Sequence, residues 1–378
     1  MSVLLMENFR SYPTPEDMMS FTGRGGPWTT FNESSLSSLS FAENPSWRTD
    51  GPVLRALVNS NGSDRSAPQR DFTATPVPAV CASFIVGTSG STRTNSEACN
   101  FVLFQEPFVD KSVATSEQYG LTTFYGVSLR ATSSVPGGLY GVAVYYNIVT
   151  SISANPGLNQ VLLGYLRPWA RDRHYHVEMK VDHTNPQARI IVYVNGVQEM
   201  DQTYDRDRID NGYQTKTFKR VMLGGSSSSG IMRPPMYSGL MLYTDEPGTV
   251  FPMGPMALDT LSPTAGQGYD GLRAAPSADD STYATIVPGG TLTGSFDDLP
   301  ANPNPVLAVD LTIRHGSVAG IEPSQITTRV LKSGGAQMVG VTTTSAPGTP
   351  ATHRRVRLPA GTTAAEVNGA TFTINAAV

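Results

Sequence analysis

Apolar and polar residues alternate strictly between positions 176 and 181, where Val177, Met179 and Val181 are separated by polar side chains. Since successive side chains of a strand point to opposite faces, this alternation predicts a β-strand with one buried and one exposed face. A turn over 182–188 leads to a second predicted strand, Arg189–Val194. Asn195-Gly196 then favours a tight turn, because both residues tolerate a positive φ, and returns the chain through 197–202.

The rest of the chain has the same character. Helical periodicity is almost absent, and its best candidate, Pro15–Ser20, is one short turn at most. The 36 glycines and 28 prolines suit many short strands joined by tight turns. We therefore predict an all-β, antiparallel fold. In the carboxyl-terminal third the expected strands are Val306–Arg314, Thr327–Lys332, Val339–Thr344, His353–Leu358 and Ala370–Ile374.

The length of 378 residues suggests two domains. The predicted boundary is a cluster of turn-forming and acidic residues, namely Asp245, Glu246, Pro247, Gly248, Pro252 and Pro255. Proline stiffens a linker and blocks continuation of a strand. Beyond this cluster aromatic residues become scarce, while alanine, threonine, glycine and proline dominate. We predict a large domain over 1–246, a linker over 247–258 and a smaller β-sandwich over 259–378.

The two cysteines are expected to be free thiols. Cys81 lies in the strand-like run Val80–Val86, and Cys99 opens another run, Cys99–Phe104. If these runs form a hairpin, the cysteines lie about six residues apart along the ladder, roughly 20 Å. A disulfide requires Cα atoms within about 7 Å. Free thiols fit a reducing compartment.

Charge and hydropathy argue against nucleic acid and membrane as partners. The formal net charge is −4 and the basic residues are scattered, whereas a phosphate-binding surface needs clustered lysine and arginine. No segment approaches the ~20 apolar residues of a membrane helix. The first residues lack the basic start and the long apolar run of a signal peptide. The expected site of synthesis is therefore a cytosol.

Several blocks resemble concanavalin A-like (laminin-G-like) jelly rolls. They are the opening Glu7–Tyr12, the strand Tyr175–Val181, the strand-turn-strand Ile191–Val197, the strand ending in glycines Val221–Gly225, and the closing Gly239–Asp245. The resemblance implies an antiparallel β-sandwich over the first two-thirds of the chain. Since such folds bind glycans, hydrolyse them or merely pack, the resemblance leaves function open.

The carboxyl-terminal part of the sequence adds a second, more specific resemblance. The segments concerned are Leu261–Pro263, Ala278–Tyr283, Val309–Arg314 and Arg329–Gly335. In this order they resemble the module that follows the jelly roll in many structural proteins of tailed bacteriophages. Such modules often carry a tryptophan near their end, where this chain has Ala364–Gly369.

This likeness implies a non-enzymatic virion protein, assembled in the bacterial cytoplasm and associated with the tail tip, baseplate or fibre. Other virion proteins are the implied partners. Particle symmetry favours a homo-oligomer, and a trimer and a sixfold ring both fit. A host-glycan adhesin and a capsid decoration protein are the alternatives.

The sequence offers no grouping that predicts catalysis or a cofactor. Jelly-roll glycosidases place their carboxylates at alternate positions of one strand, and no such run occurs here. The acidic groups Asp201–Asp210 and Asp297-Asp298 lie in loop-like sequence. A polysaccharide-degrading enzyme would need a carboxylate pair formed between distant strands.

Two motifs contain residue types that can bind a metal ion. For both, an interpretation without a metal is favoured. His174 and His176 share one strand face and His183 follows, but further ligands at a telling spacing are missing, which favours surface histidines. Asp201, Asp205, Asp207 and Asp210 offer oxygen ligands for calcium. Interspersed arginines (Arg206, Arg208 and, nearby, Arg220) favour a solvated, ion-paired loop instead. No metal is therefore predicted.

Exposed aromatic rings are the main candidates for glycan contact, because sugar rings stack on them. The central strands contain Tyr125, Tyr145, Tyr146, Trp169 and Tyr175, most of which are expected in the core. Trp169, between Pro168 and Arg171, is the aromatic residue most expected to be exposed. The candidate glycan contacts are Trp169, Tyr175, His174 and His176.

Overall fold

The computed structural model describes the greater part of the chain. The ranges it covers are 2–7, 9, 18, 28–30, 39–42, 53–56, 68–88, 97–104, 126–135, 139–149, 158–207, 216–224, 236–245, 251–254, 261, 263–266, 285–299, 306–314, 325–344, 351–359 and 361–377. Two compact units emerge: the first contains Met1–Phe9 and Trp28–Ala257, and the strands of the second lie within Leu258–Val378.

The first unit contains two antiparallel sheets. Sheet A has eight strands, which follow one another in space as β13 (Val197–Asp205), β12 (Gln187–Val194), β11 (His174–Asp182), β6 (Ala79–Gly87), β15 (Met236–Tyr243), β4 (Val53–Ala56) and β3 (Leu39–Ala42), with β1 (Val3–Glu7) also paired to β15. Sheet B has seven strands, in the order β10 (Leu158–Trp169), β9 (Leu139–Val149), β8 (Gly126–Val135), β7 (Glu97–Phe104), β14 (Arg220–Leu223), β5 (Pro68–Asp71) and β2 (Thr29–Thr30). The prediction of an all-β, antiparallel sandwich is confirmed.

The predicted three-stranded meander is confirmed as β11, β12 and β13. Val177, Met179 and Val181 are fully buried, as the alternation requires. The turn between β12 and β13 is Asn195-Gly196, with φ angles of 50° and 78°. Both values lie in the left-handed region, which explains why asparagine and glycine occupy this turn.

The hairpin considered for the two cysteines does not form. Cys81 lies in β6 of sheet A, which pairs with β11 and β15. Cys99 lies in β7 of sheet B, which pairs with β8 and β14. The two runs therefore lie in different sheets, and each pairs with strands that are distant in sequence. Cys81 is a buried free thiol, as predicted, and burial raises its pKa to about 12.

The core of the first unit lies between the two sheets. Phe84 of sheet A stacks on Phe101 of sheet B, with ring centroids 4.3 Å apart and an interplanar angle of 13°. Both rings are 1% exposed or less. This stack ties the centre of one sheet to the centre of the other.

A buried ion pair fixes the amino-terminal strand. Glu7, the last residue of β1, accepts hydrogen bonds from Trp28 Nε1 and Arg70 Nη1, each at 3.3 Å. Its other oxygen accepts from the Phe9 backbone N–H at 3.0 Å. The side chains of Arg70 and Glu7 are only 2% and 5% exposed. This carboxylate therefore holds together residues that are distant in sequence.

The second unit is a smaller β-structure. Its five-stranded sheet follows the order β16 (Pro263–Gly266), β17 (Thr291–Phe296), β22 (Thr371–Ala376), β19 (Gln325–Leu331) and β20 (Gln337–Thr344), and a two-stranded sheet pairs β18 (Ala308–Arg314) with β21 (Ala351–Arg357). All five strands expected in this part of the chain are present. Their shared core consists of Val330, Met338, Val339, Leu358, Val367, Ala370 and Phe372.

A single turn of helix, α1 (Ala364–Val367), precedes the last strand, β22. Thr363 and Glu366 form a reciprocal capping box: the Thr363 backbone N–H donates to Glu366 Oε2 at 2.8 Å. Val367 is 1% exposed and packs in the core. An aliphatic side chain thus contributes to the core at this point.

Candidate functional site

The outer face of sheet B carries two exposed large apolar side chains, Leu162 and Tyr165, both on its edge strand β10. Leu162 of β10 pairs with Tyr145 of β9, and Tyr165 pairs with Ala143. Ala143 pairs in turn with Arg130 of β8. These five residues therefore lie on one face of the sheet, opposite the buried side chains of Val142, Val144 and Tyr146. We call them the tyrosine face.

A β-bulge creates this face. Leu162 and Tyr165 are three positions apart, so regular alternation would send them to opposite sides of β10. The register shifts between Leu162 and Gly164, and the extra residue brings both side chains to the same side. Gly164 itself lies against β13, where a Cβ would come within 2.8 Å of Met200 Cε. The absence of a side chain at Gly164 thus leaves room for the end of the Met200 side chain.

The tyrosine face has the features of a binding surface. Tyr165 is 72% exposed and Leu162 is 41% exposed. Ala143, the partner of Tyr165 on β9, has a small and buried side chain, so the surface beside the tyrosine ring is flat at this point. The Arg130 guanidinium lies 5.6 Å from the ring centroid of Tyr145, a cation–π distance. Tyr165, Ala143 and Arg130 therefore lie in one row across three neighbouring strands.

Trp169 and Tyr175, two of the predicted glycan contacts, stack on each other instead. Their ring centroids lie 4.5 Å apart, and the rings are nearly parallel at 9°. The Tyr175 hydroxyl accepts a hydrogen bond from the Ala170 backbone N–H at 2.6 Å, and burial raises the pKa of Tyr175. Trp169 is 1% exposed, so the expectation that it is exposed is wrong. The face that a sugar would need is covered by Tyr175.

The two predicted histidines lie on sheet A, away from the tyrosine face. His174 is exposed at the start of β11. His176 is 8% exposed, and its Nε2 lies 2.8 Å from Ser83 Oγ. Burial lowers the pKa of His176. His176 is therefore a buried member of a hydrogen-bonded pair rather than the surface histidine that was expected.

Glu178 occupies the centre of the same outer face of sheet A. The segment Phe251–Gly254 covers it, and Glu178 Oε1 accepts from the backbone N–H groups of Met253 at 2.7 Å and Gly254 at 3.1 Å. Phe251 also packs edge-on against Tyr193, with centroids 5.8 Å apart. Glu178 is fully buried, and this burial raises its pKa. The carboxylate fastens the covering segment to the sheet.

Replacing Glu178 by glutamine is expected to change the pH dependence of stability. A carboxyl whose folded pKa is raised favours folding fully below its unfolded pKa, and this contribution is lost as pH rises through the folded value. Glutamine keeps an oxygen acceptor for Met253 and Gly254 but does not titrate. The stability of E178Q relative to the native protein should therefore increase from pH 4 to pH 8 in urea denaturation. Parallel stability curves for the two proteins would contradict this.

The acidic stretch 201–210 forms ion pairs where the structure describes it. Asp201 pairs with Arg189, whose Nε donates at 2.8 Å, and Asp207 pairs with Arg206, whose Nε donates at 3.0 Å. These hydrogen bonds lower the pKa of both aspartates. Asp205 accepts from the Asp207 backbone N–H. Asp210 and Arg208 lie outside the described residues.

His183, the third histidine of the motif, is buried among aromatic rings. Its ring is 4.6 Å from Phe218 and 5.7 Å from Tyr146, and its Nε2 contacts the Tyr204 hydroxyl. Among the residues that the structure describes, no three histidine, cysteine, aspartate or glutamate side chains are grouped closely enough to hold a metal ion. Nor does any helix in those ranges have the length and apolar character needed to cross a membrane.

Comparison with known proteins gives structural likenesses only. No protein-family profile matches the sequence, and no curated protein matches it significantly. Among solved structures, an alginate lyase variant in complex with alginate trisaccharide is 13% identical with a TM-score of 0.40, over 65% of this chain and 99% of the lyase chain. An endo-β-1,4-glucuronan lyase from the fungus Trichoderma reesei is 10% identical with a TM-score of 0.39, over 60% and 94%.

A third solved structure is a Bacillus subtilis protein of unknown function with a galectin-like fold. It is 9% identical with a TM-score of 0.37, over 64% of this chain and 96% of that one. The β-sandwich described above rests on the strand pairing of this chain, independently of these likenesses.

Proposed function

We propose that the protein is a non-enzymatic structural component of a bacteriophage virion, associated with the tail tip, baseplate or fibre. Its partners are then other virion proteins and further copies of itself, in a trimer or a sixfold ring. The resemblance of the carboxyl-terminal segments to the module that follows the jelly roll in tailed-phage structural proteins supports this role, and so does the succession of two β-units along the chain.

The proposal that the protein is not an enzyme is supported by the positions of Glu178 and His176, two side chains that could act as acid or base but are buried within the protein. Glu178 is buried beneath Phe251–Gly254 and is engaged by two backbone N–H groups. His176 is buried against Ser83. A general acid or base must lie within hydrogen-bond reach of its substrate. These groups instead hold the covering segment and the sheet together.

Immunogold labelling of intact particles tests the location. Antibodies raised against the exposed strand β13 and against the exposed turn Ser333–Gln337 report on the two units separately. Label at the distal tail is the expected result. Label over the head would instead identify a capsid decoration protein. Absence of the protein from purified particles, by immunoblot, would contradict a virion role altogether.

A host-glycan adhesin on the same particle is the second candidate function, and the tyrosine face favours it. Sugar rings stack on exposed aromatic rings, while a few polar groups fix their orientation. Tyr165 offers such a ring at 72% exposure. Tyr145 lies on the neighbouring strand and Arg130 one strand further, on the same face. Saturable binding of the purified protein to host polysaccharide is the expected result.

A further inference from the structure

We infer that the tyrosine face binds an acidic, carboxylate-bearing polysaccharide. This inference rests on the adhesin role proposed above and specifies its ligand. The starting observation is the shape of the face: Tyr165 projects from β10 next to the low floor of Ala143. A sugar ring can lie on this floor with one side against the tyrosine ring.

The charge of these strands determines the ligand class. The sequences of β8, β9 and β10 contain two arginines, Arg130 and Arg167, and no aspartate or glutamate. Arg130 lies in the row of Tyr165, two strands away, which is about 10 Å. Arg167 lies two residues beyond Tyr165 on the same strand. Positive charge therefore flanks the exposed ring on two sides.

Arg167 is the cation best placed to meet a ligand. Its side chain is 72% exposed, and its Nε lies 4.0 Å from Glu199 Oε1, the outer limit of an ion pair. The side chain of Glu199 is itself only 7% exposed. Its other oxygen accepts from the Arg167 backbone N–H at 2.8 Å. Glu199 thus holds the backbone of β10, while the guanidinium points to solvent and is available to a carboxylate.

A carboxylated sugar can contact both the exposed tyrosine ring and the exposed arginine of this face. Its ring stacks on Tyr165, and its carboxylate accepts hydrogen bonds from a guanidinium, a pairing for which arginine is well suited. A neutral glycan would use the ring but would form no ion pair with the exposed Arg167. Nucleic acid fits less well, because a phosphate polymer requires more cations than two arginines and the protein carries a net charge of −4.

Binding of the full-length protein to acidic polysaccharides tests the inference. Polygalacturonate, alginate and hyaluronate are titrated by biolayer interferometry, each beside the same polymer with its carboxylates reduced to alcohols. We expect at least one acidic polymer to bind and its reduced form to bind at least tenfold more weakly. Affinity should also fall as salt rises from 50 to 500 mM, because exposed ion pairs are screened.

Three variants locate the binding. Y165A and R167Q should each weaken binding to the acidic polymer at least tenfold. R189Q is the matched control: it removes one exposed arginine from β12 of sheet A and should leave the affinity unchanged. Circular dichroism and the thermal midpoint verify that each variant is folded, since Tyr165 and Arg167 are exposed.

The outcomes separate the inference from the functions it rests on. Equal binding of an acidic polymer and its reduced form would overturn the acidic class but keep a glycan-binding face. Equal binding of a single-stranded oligonucleotide would reduce the face to a general polyanion site. Binding to none of the three acidic polymers would overturn the inference, while immunogold label at the tail would leave the virion role intact.

Discussion

Replacing Glu7 by glutamine is expected to lower the free energy of unfolding by about 3–5 kcal/mol. The carboxylate is 5% exposed and accepts from Arg70, Trp28 and the Phe9 backbone. Glutamine has one oxygen acceptor instead of two, and it leaves the buried guanidinium of Arg70 without this counter-ion. Urea denaturation at pH 7, followed by tryptophan fluorescence, measures the change.

A double substitution separates the ion pair from packing. E7Q combined with R70M removes both charges, so its cost should be clearly smaller than the sum of the two single costs. R189Q removes one member of an exposed pair and should leave the denaturation midpoint nearly unchanged. A midpoint shift for E7Q as small as that for R189Q would show that the buried pair does not stabilise the unit.

Replacing Phe84 by alanine is expected to cost about 3–5 kcal/mol, because it opens a cavity between the two sheets. Phe84 is 1% exposed and stacks on Phe101 at 4.3 Å. Neighbouring strands cannot collapse into the space without disturbing their own hydrogen bonds. The same urea denaturation provides the measurement.

Y165A is the matched control for F84A. It also truncates an aromatic residue of a strand, but one that is 72% exposed, so its effect should stay within about 0.5 kcal/mol. Similar losses for the two variants would contradict the assignment of Phe84 to the core and of Tyr165 to the surface.

Local alternation predicted the meander β11–β13 because each of its turns is short and buried apolar residues recur at every second position of β11 and β12, with Val177, Met179 and Val181 in β11. The turn Asn195-Gly196 adopts the positive φ angles that its residue types favour. The same reasoning predicted five of the seven strands described in the second unit, β18–β22. Pairing over long distances was not predictable: β6 and β7 are consecutive strands, yet they belong to different sheets.

The candidate site was largely missed, for two physical reasons. The bulge at Leu162–Gly164 brings Tyr165 to the outer face, and alternation alone cannot locate an inserted residue. The uninterrupted lack of acidic residues from β8 to β10 was the available signal. His176 and Glu178 follow the alternation of an exposed face, but Phe251–Gly254 covers that face from a distant part of the sequence.

The pairing of β1 with β15 has a consequence for synthesis on the ribosome. The Ser2 backbone N–H donates to Thr244 Oγ1, although these residues are 242 positions apart. β15 also provides β6 with one of its two neighbours. Until β15 emerges, the nascent chain therefore carries a first strand without its partner and a central strand with an open edge. Ribosome-stalled chains ending before Met236 should be sensitive to protease and prone to aggregate, and those extending well past Tyr243 should not.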